Sequence, residues 1–204
     1  YNALMKGTKT SEYDGGHRVP FIMQWKNGGF NSGETFGGLS AHVDILPTIA
    51  ALTGIAYTPT KIIDGINLSS FLQTNTHPDR MLVTDTQRNQ WPKKGKQSSV
   101  LYQSWRLVNG KELYNVDNDP GQDNNLFDNN PEMAIKLQNY YDLWWAEASK
   151  DFQYSYIDIE INQINTLTCH DIHVNSITAW DQKDIRKGIA VVPGAHSVNF
   201  KKAG

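Results

Sequence analysis

Apolar residues fall in short bursts along the chain, separated by stretches rich in glycine, asparagine and proline. The first burst, Arg18 to Trp25, is bounded by Gly15-Gly16 and Asn27-Gly28-Gly29. It predicts a strand buried on both faces, and so central in a sheet, with Pro20 near its start. A glycine-rich loop, 28–38, follows. From Asp44 to Gly54, residues Ile45, Ile49 and Leu52 recur at helical spacing. That stretch predicts a helix with Asp44 as N-cap, Pro47 in its first turn and Gly54 as a left-handed C-cap.

Asp64-Gly65 marks a turn, and 68–72 is a short apolar segment. Short strands are predicted over 81–84, 99–103, 105–108 and 112–116. Asn109-Gly110 joins the last two as a hairpin, because both turn positions want positive φ. Asn130-Pro131-Glu132 then opens a helix with an N-cap, a proline at its first position and an acid in its first turn. Met133, Leu137, Tyr141, Trp144 and Ala148 share one face of it, a stripe that reads as packing against the antiparallel strands. Beyond Phe152, Tyr156 to Ile161 alternates with period two. Further strand-like pieces at 167–172, 189–192 and 198–201 predict the start of an all-β region. The expected class is α/β. Residues 1–58 would end a larger α/β domain, and 59–151 would form a small α+β subdomain of four antiparallel strands plus a helix. Residues 152–204 would begin an appended β region. The beginning at Tyr1 and the end at Gly204 both read as interruptions, so a longer parent protein is expected.

Charge and composition narrow the function. Nineteen Lys and Arg against 21 Asp and Glu give the 204 residues a net charge of −2. A nucleic-acid partner would call for a basic excess, so none is expected. No stretch approaches the ~18 consecutive apolar residues of a membrane helix. Cys169 is the single cysteine, which rules out an internal disulfide framework and any zinc site needing two or four cysteines. Cys169, His170, Asp171 and His173 look like metal ligands by type. Three ligands at period two on one strand make poor tetrahedral geometry, and no metal is expected there.

The densest polar cluster runs from Lys9 to Pro20: Lys9-Thr10-Ser11-Glu12-Tyr13-Asp14-Gly15-Gly16-His17-Arg18-Val19-Pro20. Its two glycines allow a sharp turn and close backbone approach. Lys9 offers a compact positive charge suited to an oxyanion such as sulfate or phosphate. By spacing alone, an ordinary loop with a solvated lysine fits better. His17 has the near-neutral pKa of a substrate contact, or is a hydrogen-bonded loop histidine. Arg88, beside Gln87, suits a second sulfate or a carboxylate, though a surface loop is an equal reading. Lys93, Lys94 and Lys96 could attract a polyanion or simply decorate a solvated turn.

The cluster resembles the K-G-x-x-Y-E-G-G-x-R-V-P segment of the type I sulfatases, the arylsulfatase family of the alkaline phosphatase superfamily. Three further segments resemble the same family in the same order. Leu39 to Thr48 is similar to its helix start h-x-D-l-x-P-T, and Asp64-Gly65-Ile66-Asn67-Leu68 to its D-G-x-S-L. Trp105-Arg106-Leu107, Glu112-Leu113-Tyr114-Asn115 and Asp119-Pro120-Gly121-Gln122 are similar to its W-R-L, E-L-Y-D and D-P-x-E/Q. Four ordered segments over about 150 residues are far more specific than one motif.

The resemblance implies the C-terminal part of a sulfatase fold and a parent that hydrolyses sulfate esters. The family's nucleophile is a formylglycine made from Cys or Ser in C/S-x-P/A-x-R, and its calcium ion is held by Asp and Asn. Cys169 lacks that context, and the family's metal ligands precede the lysine motif, so both groups are expected outside this chain, which would be inactive alone. Lys9 is the implied catalytic, sulfate-contacting residue. Asp14 stands where the family has Glu, in a loop-structuring role, while Arg18 and Asp44 are structural. His17, Gln87 and Arg88 are expected substrate-binding residues. The implied partners are a sulfated small molecule or glycan and the N-terminal remainder of the same protein, with no nucleic acid and no membrane. The implied location is periplasmic or extracellular. The alternatives are a non-catalytic sulfatase-like glycan-binding or structural module, and a phosphate-ester or phosphonate hydrolase of the same superfamily.

Overall fold

The computed structural model describes residues 2–30, 33–87, 92–150 and 152. It divides into two units, Tyr1–Asp151 and Phe152–Gly204. The strands predicted after Phe152, the Cys169 cluster and Arg88 lie outside the described residues.

The first unit is organised around a four-stranded antiparallel sheet in the order β1 (Met81–Asp85), β2 (Ser98–Tyr102), β3 (Trp105–Val108) and β4 (Glu112–Asn115). All four predicted strands are present, with ends within about one residue of expectation. Asn109 and Gly110 join β3 to β4 with φ of 51° and 69°, the left-handed pair that a tight hairpin requires.

The register sorts the side chains onto two faces. Val83, Val100, Leu107 and Leu113 align across the sheet as one row. This row meets Ala134, Leu137 and Tyr141 of α4 (Pro131–Ser149) in the main core, with Met133, Trp144 and Trp145 around them. The aromatic stripe therefore packs as its spacing predicts, except that Ala148 is exposed. Asn130 stands at the N-cap, but its side chain donates back to the Leu126 carbonyl rather than capping the helix.

The opposite face carries the row Leu82, Leu101, Arg106 and Tyr114. In a two-layer fold this face would meet water. Here Leu101, Arg106 and Tyr114 are all buried. Part of their cover is chain from far earlier in the sequence, residues 6–18, which place Tyr13 and Asp14 against Tyr114 and Arg106.

That stretch contains α1, a single turn over Asp14–His17. After it, the strand expected at Arg18 to Trp25 does not form. Residues 18–24 have no regular structure; only Trp25 pairs, with Phe30, across a small turn. Val19, Phe21 and Ile22 are 77%, 66% and 91% exposed rather than buried on both faces. An apolar run becomes a strand only where a neighbouring edge takes its N–H and C=O groups, and no described strand does so.

The Asp44 helix forms as α2 (Ile45–Thr53), entered through a 3₁₀ turn at His42–Asp44 and closed by Gly54 at φ 69°. Asp44 occupies the N-cap position of α2 as expected, but it is itself αR and its side chain caps no N–H of that helix. The apolar segment near 68 becomes α3 (Ser69–Thr74).

Leu137 has no solvent exposure and sits between α4 and the central strands. Leu137→Ala is expected to cost about 2–5 kcal/mol through lost transfer energy and the cavity left behind. Urea unfolding followed by tryptophan fluorescence checks this.

Candidate functional site

The Lys9 segment is a looped-out finger. Its neck is closed by the Gly15 N–H, which donates to the Lys6 carbonyl at 2.8 Å. Glycine at 16 is a packing requirement, since a Cβ there would lie 2.2 Å from the Ser11 carbonyl oxygen. The tip is a turn over Thr8–Ser11, with the Ser11 N–H on the Thr8 carbonyl at 2.8 Å. Lys9 occupies the second position of the turn and Thr10 the third, at φ 76°. That is the glycine-favouring third position of a type II turn, and a β-branched residue adopts it only under strain. The motif this segment resembles has glycine there.

Four side chains of the finger, Lys6, Glu12, Tyr13 and Asp14, hold it to the sheet and its flanking turns. Glu12 accepts from Asn109 Nδ2 at 2.9 Å, in the β3–β4 turn. Tyr13 Oη donates to Glu112 Oε2 at 2.8 Å, and Tyr114 Oη donates to the same oxygen at 2.7 Å. Lys6 Nζ lies 4.6 Å from the Tyr13 ring centre and 5.5 Å from that of Tyr114, and donates to the Gln122 carbonyl at 3.0 Å.

Asp14 is the deepest anchor, 2% exposed. Its N–H donates to Gln122 Oε1 at 2.9 Å. Arg106 Nε donates to its Oδ1 at 2.7 Å, and Arg18 Nη1 reaches Oδ2 at 3.4 Å. His17 Nε2 stands 3.5 Å from Oδ1. Burial alone would push this carboxyl up. The His17 ring and the Arg106 guanidinium outweigh burial and hold it well below the usual carboxylate range. For Tyr13, burial comes first and the bond to Glu112 second, and together they push the phenol up to about 12. Tyr114 is raised further for the same reasons.

A second buried carboxylate, Asp44, repeats the device. It receives Arg80 Nη1 at 2.7 and 2.8 Å, the Ala41 N–H at 2.7 Å and the Ile66 N–H at 2.9 Å. Thr48 Oγ1 accepts the Leu68 N–H at 2.9 Å. A Cβ at Gly65 would lie 1.9 Å from the Val43 carbonyl oxygen. The segments around Asp44 and Asp64-Gly65 are thus two halves of one joint, completed by the residue that leads into β1.

Lys9 differs from its neighbours. It is exposed, and no hydrogen bond or ion pair among the described residues holds its ammonium. His17 shares the finger, but its ring is turned inward against Asp14, with 13% of the side chain exposed. Gln87 is tied into its own loop: its Nε2 donates to Asp85 and to the Lys93 carbonyl, and its Oε1 accepts the Lys93 N–H at 2.7 Å. No described contact joins that loop to the finger. Lys94 pairs with Asp142 at 2.8 Å. Arg106 and Gln122 were not singled out as site residues by sequence reasoning. The available signal was a charged residue in the middle of an apolar strand at 105–108. Among the described residues no three His, Cys, Asp or Glu side chains converge on a metal position, and no helix is long and apolar enough to cross a membrane.

No protein-family model matches the chain. It is similar to human steryl-sulfatase, 35% identical over 72 residues, which are 35% of this chain and 12% of that protein. Mouse arylsulfatase G is 37% identical over 65 residues, 32% of this chain and 12% of the relative. Among solved structures, Ps i-CgsB in complex with k-i-k-neocarrahexaose superposes with a TM-score of 0.62 at 24% identity. The match covers 71% of this chain and 32% of that one. BT33336S-sulf, from work on glycosaminoglycan metabolism by Bacteroides thetaiotaomicron, gives 0.54 at 20% identity, over 69% and 32%. The chain thus spans about an eighth of its curated relatives and about a third of the solved chains. The likeness is to sulfatases in sequence and in fold, and it falls on their C-terminal portion.

Two pH dependences follow. A lowered carboxyl stabilises the fold fully above the unfolded value, about pH 4, and that contribution drains away as pH falls toward the folded one. The Asp14→Asn variant should therefore melt lower than wild type at neutral pH and lose less below about pH 4. The raised phenols act in the opposite direction: their contribution is whole below about pH 10 and is lost as pH rises through the Tyr13 value of about 12. Tyr13→Phe should flatten that alkaline loss. Melting temperature against pH for the three proteins reads both limbs.

Proposed function

We propose that the protein carrying this chain, which resembles the C-terminal portion of the sulfatases, hydrolyses sulfate esters, and that Lys9 contacts the sulfate. One observation carries the reading. Lys6, Glu12, Tyr13 and Asp14 anchor the finger, while the Lys9 ammonium at its tip makes no hydrogen bond or ion pair among the described residues. A fixed positive charge of this kind stabilises negative charge that builds on sulfate and leaving oxygens during ester cleavage.

The exposed apolar residues support the reading of 1–58 as one edge of a larger α/β domain. Val19, Phe21, Ile22, Ile45, Leu46 and Ile49 are all exposed. The N-terminal remainder of a sulfatase would cover them, and its sheet would supply the edge that residues 18–25 lack. Calcium and formylglycine, which supply the activated nucleophile in the resembled family, are assigned to that remainder. The described residues bring no three His, Cys, Asp or Glu side chains together to hold the metal. A carbohydrate ester is the favoured substrate class, supported by the neocarrahexaose bound to Ps i-CgsB. His17, Gln87 and Arg88 are proposed as substrate contacts; Gln87 is bonded within its own loop, and the His17 ring lies against Asp14. A periplasmic or extracellular location goes with this reading.

The test is hydrolysis of 4-nitrophenyl sulfate by the native polypeptide. Lys9→Ala is expected to lower kcat by about 10²-fold or more, the scale of a lost oxyanion donor, with the melting temperature unchanged because Lys9 anchors nothing. A Lys9→Ala protein as active as wild type would overturn the proposal. The isolated 204-residue chain is expected to show no turnover, with or without added calcium.

A further inference from the structure

We infer that Arg106, on β3 of the small sheet, is a positioning residue for Lys9, acting through Asp14. The inference rests on the sulfate-contacting role proposed for Lys9. Arg106 cannot itself touch substrate, being only 7% exposed beneath the finger.

Three features set its role apart from simple packing. First, the guanidinium is held before it meets Asp14: its Nη1 donates to the Gln103 and Trp105 carbonyls at 2.7 and 2.9 Å. It therefore presents Nε to Asp14 Oδ1 in a set direction, which a flexible ammonium would not do. Second, Asp14 sits at the neck of the finger. The residue after it closes that neck on Lys6, and its own N–H is taken by Gln122. Third, the tip is strained. Thr10 at φ 76° holds the Lys9 turn against its local preference, so the turn persists only while the neck is pinned. Among the described residues no hydrogen bond or ion pair steadies the Lys9 ammonium, which leaves the backbone between neck and tip to fix where it can reach. Arg18 is a poor substitute anchor, because it is largely exposed and stands 3.4 Å from the carboxylate.

A double-mutant cycle in the native polypeptide tests this, with kcat and KM for 4-nitrophenyl sulfate measured for Lys9→Ala, Arg106→Lys and the pair. Arg106→Lys is expected to lower kcat about tenfold or more, as small misplacements of a reacting group do, while KM changes less. In the Lys9→Ala background it should cause no further loss, because both changes remove one interaction. A purely structural arginine would give losses that multiply, and that result, or an Arg106→Lys protein with unchanged kcat, overturns the inference alone. If Lys9→Ala itself leaves kcat unchanged, the proposed function falls and the inference with it. Should Arg106→Lys fail to fold, Asp14→Asn, which keeps the shape and weakens the Arg106 bond, goes through the same cycle with the same reading.

Discussion

The bond between Asp14 and Arg106 is the constraint on which this part of the molecule turns. An arginine in the middle of a strand would ordinarily face water, and burying it unpaired would be costly. Its presence on the inner side of the sheet obliges something anionic to come and cover it. The finger supplies Asp14 from 92 positions earlier in the chain. Once that contact is made, Tyr13 meets Tyr114 and Glu112, Glu12 meets the β3–β4 turn, and Lys6 lies across the two phenol rings. The sheet becomes a central layer, with α4 on one face and the finger on the other.

Asp44 and Arg80 make the same kind of joint at a second place, gathering the start of α2, the 64–66 segment and the approach to β1. Both carboxylates come from the early part of the chain, and both arginines from the sheet or its threshold. Ion pairs of this sort contribute less to net stability than hydrophobic burial. They are strict about geometry, which suits a junction between segments that share little apolar surface. The hydrophobic free energy of the unit resides instead between α4 and the other face of the sheet.

This division of labour bears on function. A charged side chain can serve as an anchor or as a reagent, and within the finger the two uses are separated. Glu12, Tyr13 and Asp14 are hydrogen-bonded to partners in the sheet or its hairpin turn, while the lysine at the tip is exposed to solvent. The segment most like a sulfatase motif is therefore mostly scaffold.

Much of the small subdomain was legible from local rules. The short apolar strands, the Asn109-Gly110 turn, the proline that opens α4 and, Ala148 apart, the apolar stripe along it each depend on neighbours within a few residues, and each is present in the fold. The Gly54 cap belongs with them. The Asp14–Arg106 and Asp44–Arg80 pairs were not legible as contacts, because each depends on residues 92 and 36 positions apart meeting after the chain has folded. The same physics explains the strand that did not form at 18–25. Hydrophobicity can mark such a run, but only a neighbouring edge, supplied by tertiary structure, can satisfy its backbone. By itself, then, the sequence determined the elements of the small sheet, its helix and the motif that presents Lys9. Tertiary structure alone decided which charges were buried as anchors and which, Lys9 among them, stayed in water, because pairing in space, not residue type, settles whether a charge can leave water.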